Sequence, residues 1–203
     1  MNNETTAWYN DDELPKDMIE GATGRKANFS QLESSKHFQK LKEVIDSIKF
    51  ESMADLGCGA GEVGRVFMNQ FDYTGFDLPH IITKVAKILN PGLDFRNFDA
   101  NETDFSFLSN YDLVLCNGFI SELTKSLEIL GKIMDNAKEY IVIHRQIISN
   151  KTKLEDYVTY ADLNTPRALI GKNDFSNILE EKGFESIYNE EFDWGNTILI
   201  KRK

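Results

Sequence analysis

The sequence has few of the features that mark secreted, membrane-bound or metal-dependent proteins. Its two cysteines, Cys58 and Cys116, are too few for a disulfide framework, and no C-x-x-C pair is present. No apolar run reaches the roughly eighteen residues of a membrane span, and the polar start Met1-Asn2-Asn3-Glu4 resembles neither a signal peptide nor a lipidation signal. The acids are scattered without a compact carboxylate pair, so no metal is indicated. We expect a cytoplasmic protein that binds no membrane.

The chain also lacks an excess of positive charge. It carries 33 acidic against 23 basic residues, a formal net charge of -10, which argues against bulk binding of DNA or RNA because phosphate contacts supply most of that affinity. Hydrophobic residues make up 41% of the 203, enough to form the core of one soluble domain. The composition favours a small-molecule partner and leaves the oligomeric state open.

One stretch, from Met53 to Arg65, organises the rest of the chain. Met53 to Leu56 is predicted to be a short buried strand, and Glu62 to Phe71 a helix. Three glycines separate the two elements: Gly57, Gly59 and Gly61. Such a turn lets a ligand approach the backbone, and the free N–H groups at the helix start can meet its polar atoms. Asp55 places a carboxylate at the carboxyl end of the strand, where open α/β sheets bind ligands.

Two cofactor classes use a turn of this kind, and the spacing satisfies both. Gly59-x-Gly61-x-x-Gly64, with Asp77 sixteen residues beyond Gly61, fits the dinucleotide pattern. Asp55-x-Gly57-x-Gly59-x-Gly61 fits the D/E-x-G-x-G-x-G pattern of class I S-adenosylmethionine (SAM) methyltransferases, which the stretch closely resembles. A plain tight turn with incidental glycines is the third interpretation.

Strand and helix patterns alternate along the chain after residue 50. Five strand–helix repeats at this spacing indicate a parallel, doubly wound α/β sheet. Two further strands, Phe184 to Ile187 and Thr197 to Ile200, are joined by a short turn and must therefore pair antiparallel.

The resemblance to class I methyltransferases covers roughly residues 50–203 and is strongest over 53–80. It implies a mostly parallel seven-stranded sheet with an antiparallel C-terminal pair, and SAM as the cofactor, with S-adenosylhomocysteine as its product. It assigns Asp77 to the ribose hydroxyls, Asp99 to the adenine amino group, and Asn117 to the methionine part of SAM or to the acceptor. The expected cofactor-binding residues are Asp55, Gly57, Cys58, Gly59, Gly61, Asp77, Leu78, Asp99, Ala100 and Asn117.

The dinucleotide alternative, an NAD(P)-binding oxidoreductase, lacks its usual catalytic residues here. None of the seven tyrosines has a lysine four residues later, as short-chain dehydrogenases require. We also expect a single domain, without a second one to bring a substrate to a nicotinamide. A non-catalytic, methyltransferase-like binding or scaffold domain is the alternative from a different class. It would produce no S-adenosylhomocysteine with any acceptor.

The acceptor is predicted from two further resemblances. Phe76-Asp77-Leu78-Pro79-His80-Ile81-Ile82 resembles the DLPHV segment of small-molecule O-methyltransferases, and the aromatic N-terminal arm with His144-Arg145 more weakly resembles methyltransferases of bacterial surface-saccharide gene clusters. Both imply O-methylation of a small hydroxylated acceptor such as a sugar or sugar nucleotide. The O-methyltransferases carry a general-base histidine just after strand four, whereas Cys116 to Leu123 contains none. Their catalytic assignment therefore does not transfer.

Methyl transfer from a sulfonium chiefly needs alignment and exclusion of water, and a base helps when the acceptor is a hydroxyl. His144, at a strand end on the ligand-binding edge, is the first candidate for that base, and a structural histidine is the equal alternative. Glu122 is the second candidate, with support of its helix start as the alternative. His80 is expected to cap its helix or to lie at the adenine, and His37, in a helix predicted over Ser30 to Lys49, to be a solvated surface residue.

Two segments are candidates for covering the acceptor. Residues 1–49 are predicted to be a polar, irregular arm followed by a helix, which is either a mobile chain end or a cap carrying Trp8, Tyr9 and Phe29. Residues 148–171 interrupt the repeats of the methyltransferase domain at 50–203, and we expect a loop that acts as a lid. Five basic residues either form a rim for an acidic group of the acceptor or are solvated charges: Arg25, Lys26, Arg145, Arg167 and Lys172.

Overall fold

The computed structural model describes residues 13–23, 35–158 and 164–203. Five residues of the predicted arm and rim lie outside these ranges: Trp8, Tyr9, Arg25, Lys26 and Phe29. The described chain begins with two helices, α1 (Leu14–Ala22), where irregular chain was predicted, and α2 (Lys36–Asp46). Ser35 caps α2, its Oγ accepting the Phe38 N–H at 3.3 Å. None of the helices in the described ranges has the length and apolar character needed to cross a bilayer.

Strand–helix repeats follow, as the sequence predicts. The first strands and helices are β1 (Ser52–Leu56), α3 (Glu62–Val66), β2 (Asp72–Asp77), α4 (Pro79–Ile81, continued as a π helix over Ile82–Ala86 and as α helix over Lys87–Leu89), β3 (Asp94–Asn97), β4 (Leu113–Asn117), α5 (Ser126–Asn136) and β5 (Tyr140–Gln146). Short 3-10 helices span Ser106–Asn110 and Ile120–Glu122. The remaining elements are β6 (Ile148–Ser149), β7 (Lys153–Val158), β8 (Asn164–Gly171), α6 (Lys172–Glu181), β9 (Phe184–Phe192) and β10 (Gly195–Arg202).

The main sheet has seven strands in the order β3-β2-β1-β4-β5-β10-β9. Strands β1 to β5 are parallel, and β10 pairs antiparallel with both β5 and β9. This confirms the predicted doubly wound sheet and its antiparallel closing pair. The strand order reverses between β1 and β4, whose carboxyl ends therefore lie side by side. Ligands of open α/β sheets bind at such a switch point.

The central strands are apolar because helices cover both faces of the sheet. In β4, Val114 and Cys116 belong to the core cluster that includes residues of α5 and α6, whereas Leu113 and Leu115 belong to the cluster that includes residues of α2. This alternation follows the two-residue period of a strand. The two buried layers fix the strand ends in place, and with them the polar residues that follow.

The described residues of the segment 148–171 form a second, three-stranded sheet instead of the predicted loop. β7 and β8 pair antiparallel as a hairpin, and β6 lies parallel to β8. The prediction of a loop is wrong because β7 has no buried residue and hence no apolar alternation to reveal a strand. Its partner β8 supplies the buried side, with Ala168, Leu169 and Ile170 all in the interior.

Candidate functional site

A cavity of about 510 Å³ opens at the carboxyl ends of β1, β2 and β4. Its volume is within the usual range for small-molecule sites, roughly 300–1,000 Å³. The glycine turn after β1 and the ends of β2 and β4 line one side. Helix α1 lies against the glycine turn, with Met18 beside Gly59. Further lining residues come from α2, β5, the β7–β8 hairpin and the β9–β10 turn. The cavity thus gathers side chains from both ends of the described chain.

The turn after β1 depends on glycine for its shape and its packing. Gly57 has a φ of +70° and Gly61 a φ of +73°, a left-handed conformation that other residues rarely adopt. A Cβ atom at Gly57 would lie 2.7 Å from Cδ2 of Phe119, and one at Gly61 would lie 2.6 Å from Cζ of Phe95. Gly57 lines the cavity, whereas Gly61 does not and instead begins α3. The predicted glycines therefore occupy two kinds of position, one at the cavity surface and one beneath it.

Asp77 ends β2 beside this turn and lines the cavity. Its Oδ2 accepts the Gly59 N–H at 2.8 Å, and its Oδ1 accepts the Leu78 N–H at 2.7 Å. Burial raises the pKa of Asp77 to about 6, and the two backbone hydrogen bonds oppose that rise. A carboxylate can accept about four hydrogen bonds, so each oxygen has capacity for one more donor.

Asp55 and Asn117 each present a buried oxygen that lacks a partner among the described residues. Oδ2 of Asp55 accepts the Tyr73 hydroxyl at 2.7 Å, but its Oδ1 accepts nothing, and neither does Oδ1 of Asn117. Desolvation raises the pKa of Asp55 to about 7; the Tyr73 hydrogen bond opposes this rise and the charge of Asp77 adds to it. Both residues line the cavity. Because buried polar atoms are nearly always paired, two unpaired acceptors at one edge indicate a site for a donor ligand.

The remaining predicted cofactor residues divide into two groups. Cys58, Leu78 and Ala100 line the cavity. Asp99 is not among the lining residues: its Oδ1 accepts the Asn101 N–H at 2.8 Å, which closes a turn and leaves Ala100 and Asn101 to reach the cavity. The adenine role of Asp99 stays a prediction.

The histidines are arranged differently from the prediction. His144 is 1% exposed and does not line the cavity; its Nδ1 lies 2.8 Å from Oγ1 of Thr197, and its Nε2 lies 3.2 Å from Nδ1 of His37. Burial, followed by the charges of His37 and Arg145, lowers the pKa of His144 to about 2. His37 lines the cavity and contacts His144.

The prediction that His37 is a solvated surface residue is therefore wrong. Helix α2 packs against β5 and β10, which brings the first turn of the helix beside His144 and Thr197. The missed signal is the spacing: His37 precedes the buried Leu41 by four residues and the buried Val44 by seven, so it shares their side of the helix.

Arg145 reaches the cavity through an irregular backbone. Its neighbours His144 and Gln146 are paired with Thr197 and Asn196, so Arg145 is the unpaired residue of a β-bulge, with a φ of +63°. A left-handed conformation at a residue other than glycine costs on the order of 1–3 kcal/mol and is commonest at functional sites. Within the described ranges its guanidinium makes no ion pair, and the side chain lines the cavity.

Glu122 also lines the cavity, as its candidacy for a catalytic role requires. Burial raises the pKa of Glu122 to about 7; the charge of Arg145 opposes this rise and that of Asp77 adds to it. Glu122 therefore lies within the electrostatic influence of both Arg145 and Asp77.

The mouth of the cavity is aromatic and basic. The Arg167 guanidinium lies 4.5 Å from the centre of the Tyr157 ring and 3.4 Å from Glu155, and both Tyr157 and Arg167 line the cavity. Trp194, 61% exposed, also lines it, with its ring centre 5.1 Å from that of His37. Lys172 of the predicted rim is exposed and is not a lining residue. In the described part of the chain, no group of three or more His, Cys, Asp or Glu residues is arranged to hold a metal ion.

Comparisons with known proteins give matches in structure alone. No protein-family model and no curated protein sequence matches the chain. CalS10, an amino pentose methyltransferase from Micromonospora echinaspora solved with SAM, is 13% identical, with a TM-score of 0.63 over 85% of this chain and 94% of that one. DesVI from Streptomyces venezuelae is 12% identical, with a TM-score of 0.64 over 84% and 93%.

The N-terminal domain of EvdMO1, solved with S-adenosylhomocysteine and D-fucose, is 13% identical, with a TM-score of 0.58 over 81% of each chain. At these identities the likeness establishes the fold. The chain has the mostly parallel, seven-stranded class I methyltransferase fold that its sequence predicts.

Proposed function

We propose that the protein is a SAM-dependent methyltransferase that methylates an oxygen of a small hydroxylated acceptor, a sugar or sugar nucleotide. The observation that carries the proposal is the pair of unpartnered, buried oxygens of Asp55 and Asn117 beside the glycine turn. These two oxygens can accept hydrogen bonds from an ammonium group, and a dinucleotide carries no such group. The methionine part of SAM has one.

The residues present fit the rest of the cofactor. The Asp77 carboxylate, held by two backbone N–H groups, has capacity for the two ribose hydroxyls, and Ala100 and Asn101 line the cavity where the adenine is expected. The bound cofactor would supply a methyl group already activated by the positive sulfonium. The protein therefore has to bind, align the acceptor and exclude water.

The acceptor class rests on the lining of the cavity mouth. Tyr157 and Trp194 offer aromatic faces, while Arg145 and Arg167 offer charged donors, a combination that suits a ring with several hydroxyls or a phosphate. The structural neighbours include an amino pentose methyltransferase and a domain solved with D-fucose, which supports the same class. We further propose that α1, whose Met18 lies against the glycine turn, and the β7–β8 hairpin together cover the site, the hairpin on the side of the acceptor.

Isothermal titration with SAM, S-adenosylhomocysteine and NAD tests the cofactor. We expect heat with the first two and none with NAD. Asp77→Ala should weaken S-adenosylhomocysteine binding by about 1–3 kcal/mol, because the ribose hydroxyls lose their acceptor. Asp72→Ala is the matched control, since Asp72 begins the same strand and is exposed. Heat with NAD alone would replace the proposal with an oxidoreductase.

A screen for released S-adenosylhomocysteine tests the activity. The acceptors are D-fucose, dTDP-glucose, UDP-glucose, catechol, a primary amine and tRNA. Turnover with a sugar or sugar nucleotide is the expected result, and preferential turnover of tRNA or the amine would contradict the acceptor class. Binding of SAM without any turnover would favour the scaffold alternative.

A further inference from the structure

A chain of three polar side chains runs from the interior of the protein to the cavity. Thr197 on β10 is fully buried, His144 on β5 lies 2.8 Å from its hydroxyl, and His37 on α2 lies 3.2 Å from His144 and lines the cavity. The stacked rings of His37 and His144 have centres 5.5 Å apart. Such a connected series fixes the orientation of its last member.

We propose that His37 is the catalytic base that removes the acceptor's hydroxyl proton, and that His144 and Thr197 are positioning residues behind it. The inference rests on the proposed methyl transfer and replaces His144, the first candidate from the sequence, by the histidine that reaches the cavity.

The free nitrogen of His37 is Nε2. Nδ1 contacts His144, and Nε2 has no hydrogen-bond partner among the residues that the structure describes. It is not among the buried unpaired atoms, so it remains accessible at the ring edge away from Nδ1. A base must come within hydrogen-bond reach of the proton it takes, and of the two contacting histidines His37 alone lines the cavity.

The direction of the hydrogen bonds follows from the protonated state. When Nε2 of His37 takes the proton, both of its nitrogens carry hydrogen, so Nδ1–H donates to Nε2 of His144. His144 then carries its hydrogen on Nδ1 and donates to the Thr197 hydroxyl, which can accept. In this arrangement the Thr197 hydroxyl accepts from His144 Nδ1–H, which leaves His144 Nε2 able to accept from the charged His37.

The step balances without a further reactant. The acceptor oxygen forms a bond to the methyl carbon, the carbon–sulfur bond breaks, and sulfur keeps its electron pair as a neutral thioether. The hydroxyl proton passes to Nε2 of His37, so the positive charge lost from sulfur reappears on the imidazolium. Solvent takes the proton after the product leaves.

The surroundings keep His37 neutral before the reaction. Burial, and then the positive charge of Arg145, lowers the pKa of His37 to about 4, so the ring is uncharged and able to accept at neutral pH. The titratable or charged groups on the neighbouring elements are His144 and Arg145 of β5 and Asp193 of the β9–β10 turn, which lines the same cavity.

Glu122 is the competing base, and its surroundings differ. Burial raises the pKa of Glu122 to about 7, the charge of Arg145 opposing the rise and that of Asp77 adding to it. The two candidates predict different pH profiles for kcat at saturating SAM. With His37 as the base, kcat is constant from pH 8 down to about 5.5. With Glu122 as the base, it falls as the pH drops through about 7.

Chemical labelling tests His37 without an acceptor. Diethyl pyrocarbonate modifies accessible, uncharged imidazole nitrogens, and peptide mass spectrometry assigns the site among the chain's three histidines. In the intact protein we expect label on His37 and none on His144, whose nitrogens are both engaged. Label on His144 with none on His37 would overturn the proposal, whether or not an acceptor is found.

Turnover is the second test, with the acceptor from the set D-fucose, dTDP-glucose and UDP-glucose that releases most S-adenosylhomocysteine. His37→Ala should lower kcat by about 10²–10⁴-fold and leave S-adenosylhomocysteine affinity unchanged within about twofold. Gln39→Ala, an exposed change on the same helix, is the control. The assignment is contradicted if His37→Ala retains its kcat, or if the loss of kcat occurs in Glu122→Gln and not in His37→Ala. A wild-type protein that never turns over would instead refute the proposed function, and the catalytic role of His37 with it.

Thr197 provides the test of positioning. Thr197→Val removes the group that accepts from His144, and we expect kcat to fall about tenfold with the KM for SAM unchanged. Thr197→Ser restores the hydroxyl and should restore kcat. If both variants behave alike, Thr197 is structural and the proposed direction of the hydrogen bonds is wrong.

Discussion

The two halves of the cavity are built in different ways. The cofactor half consists of Asp55, the glycine turn, Asp77 and Asn117, each at or just after the end of a parallel strand. The acceptor half takes His37 from α2, Arg145 from a bulge in β5, Arg167 from the β7–β8 hairpin and Trp194 from the β9–β10 turn. The first half is held by backbone geometry, and the second is assembled from side chains of distant segments.

This difference determines which substitutions each half of the cavity tolerates. In the cofactor half, backbone N–H groups position the carboxylate of Asp77, so a change in the turn disturbs folding and binding together. In the acceptor half, single side chains project from several different elements of the fold. We therefore expect glycine changes to have the largest effects and changes at the cavity mouth the smallest.

Gly61→Ala should have the largest effect on stability. The methyl group would meet Phe95 at 2.6 Å, and the residue would have to hold a φ of +73°. Left-handed strain of about 1–2 kcal/mol and overpacking of about 1–3 kcal/mol together predict a loss of about 2–5 kcal/mol in the free energy of unfolding, measured with urea.

Substitutions at two other glycines distinguish the cost of backbone strain from the cost of overpacking. Gly183 has a φ of +69°, and no atom lies within 4 Å of the point that an added methyl group would occupy, so Gly183→Ala should show the strain alone, about 1–2 kcal/mol. Gly92 has neither a positive φ nor a close neighbour, and Gly92→Ala should be nearly neutral. Equal effects at Gly61 and Gly92 would show that the turn does not depend on glycine.

The cofactor half could be predicted from the sequence because its residues are local. The glycine spacing, the strand before it and the acids at two strand ends all lie within short segments, and the structure places Asp55, Gly57 and Asp77 at one cavity. The seven-stranded sheet followed from the same periodic patterns. Asp99 shows the limit of prediction from the sequence. Its place after a strand was predicted, but the turn in which its carboxylate accepts the Asn101 N–H was not.

Arg145 and Arg167 of the acceptor half were candidates from the sequence, but the contacts of this half could not be predicted because they join distant parts of the chain. His37 and His144 are 107 residues apart, and no pattern in either helix or strand reveals their contact. The bulge that turns Arg145 into the cavity depends on the register of β5 with β10, which the sequence of β5 does not encode. The β7–β8 hairpin was not predicted because an exposed strand such as β7 has no apolar alternation.

Asp55→Asn should separate the stability of the cofactor half from its binding. The pKa of Asp55 rises in the folded protein from 3.8 to about 7, so its contribution to stability is present at low pH and is lost as the pH rises through about 7. Asparagine does not titrate. Without ligand the variant should therefore be more stable than the wild type at pH 8, by on the order of 1–4 kcal/mol, with a smaller difference at pH 5.5.

The same variant should bind S-adenosylhomocysteine about 10–100-fold more weakly, because the charged partner of the ammonium is gone. Urea unfolding at the two pH values and calorimetry measure the two effects. Asp72→Asn, an exposed change at the start of β2, should alter neither. A variant less stable than the wild type at pH 8 would show that the Asp55 carboxylate stabilises the free protein and is not held there for a ligand.

Arg167→Met should have the smallest effect, and that effect should be limited to binding of the acceptor. The guanidinium lies on Tyr157 at the cavity mouth, and its Nε is buried without a hydrogen-bond partner among the described residues. Its loss should raise the KM for UDP-glucose about three- to tenfold, roughly 1 kcal/mol, and leave the Kd for S-adenosylhomocysteine unchanged. Lys172→Met, which removes the same charge from an exposed residue that does not line the cavity, is the control and should change neither constant. A matching loss of S-adenosylhomocysteine affinity in Arg167→Met would show that the two halves are one continuous site.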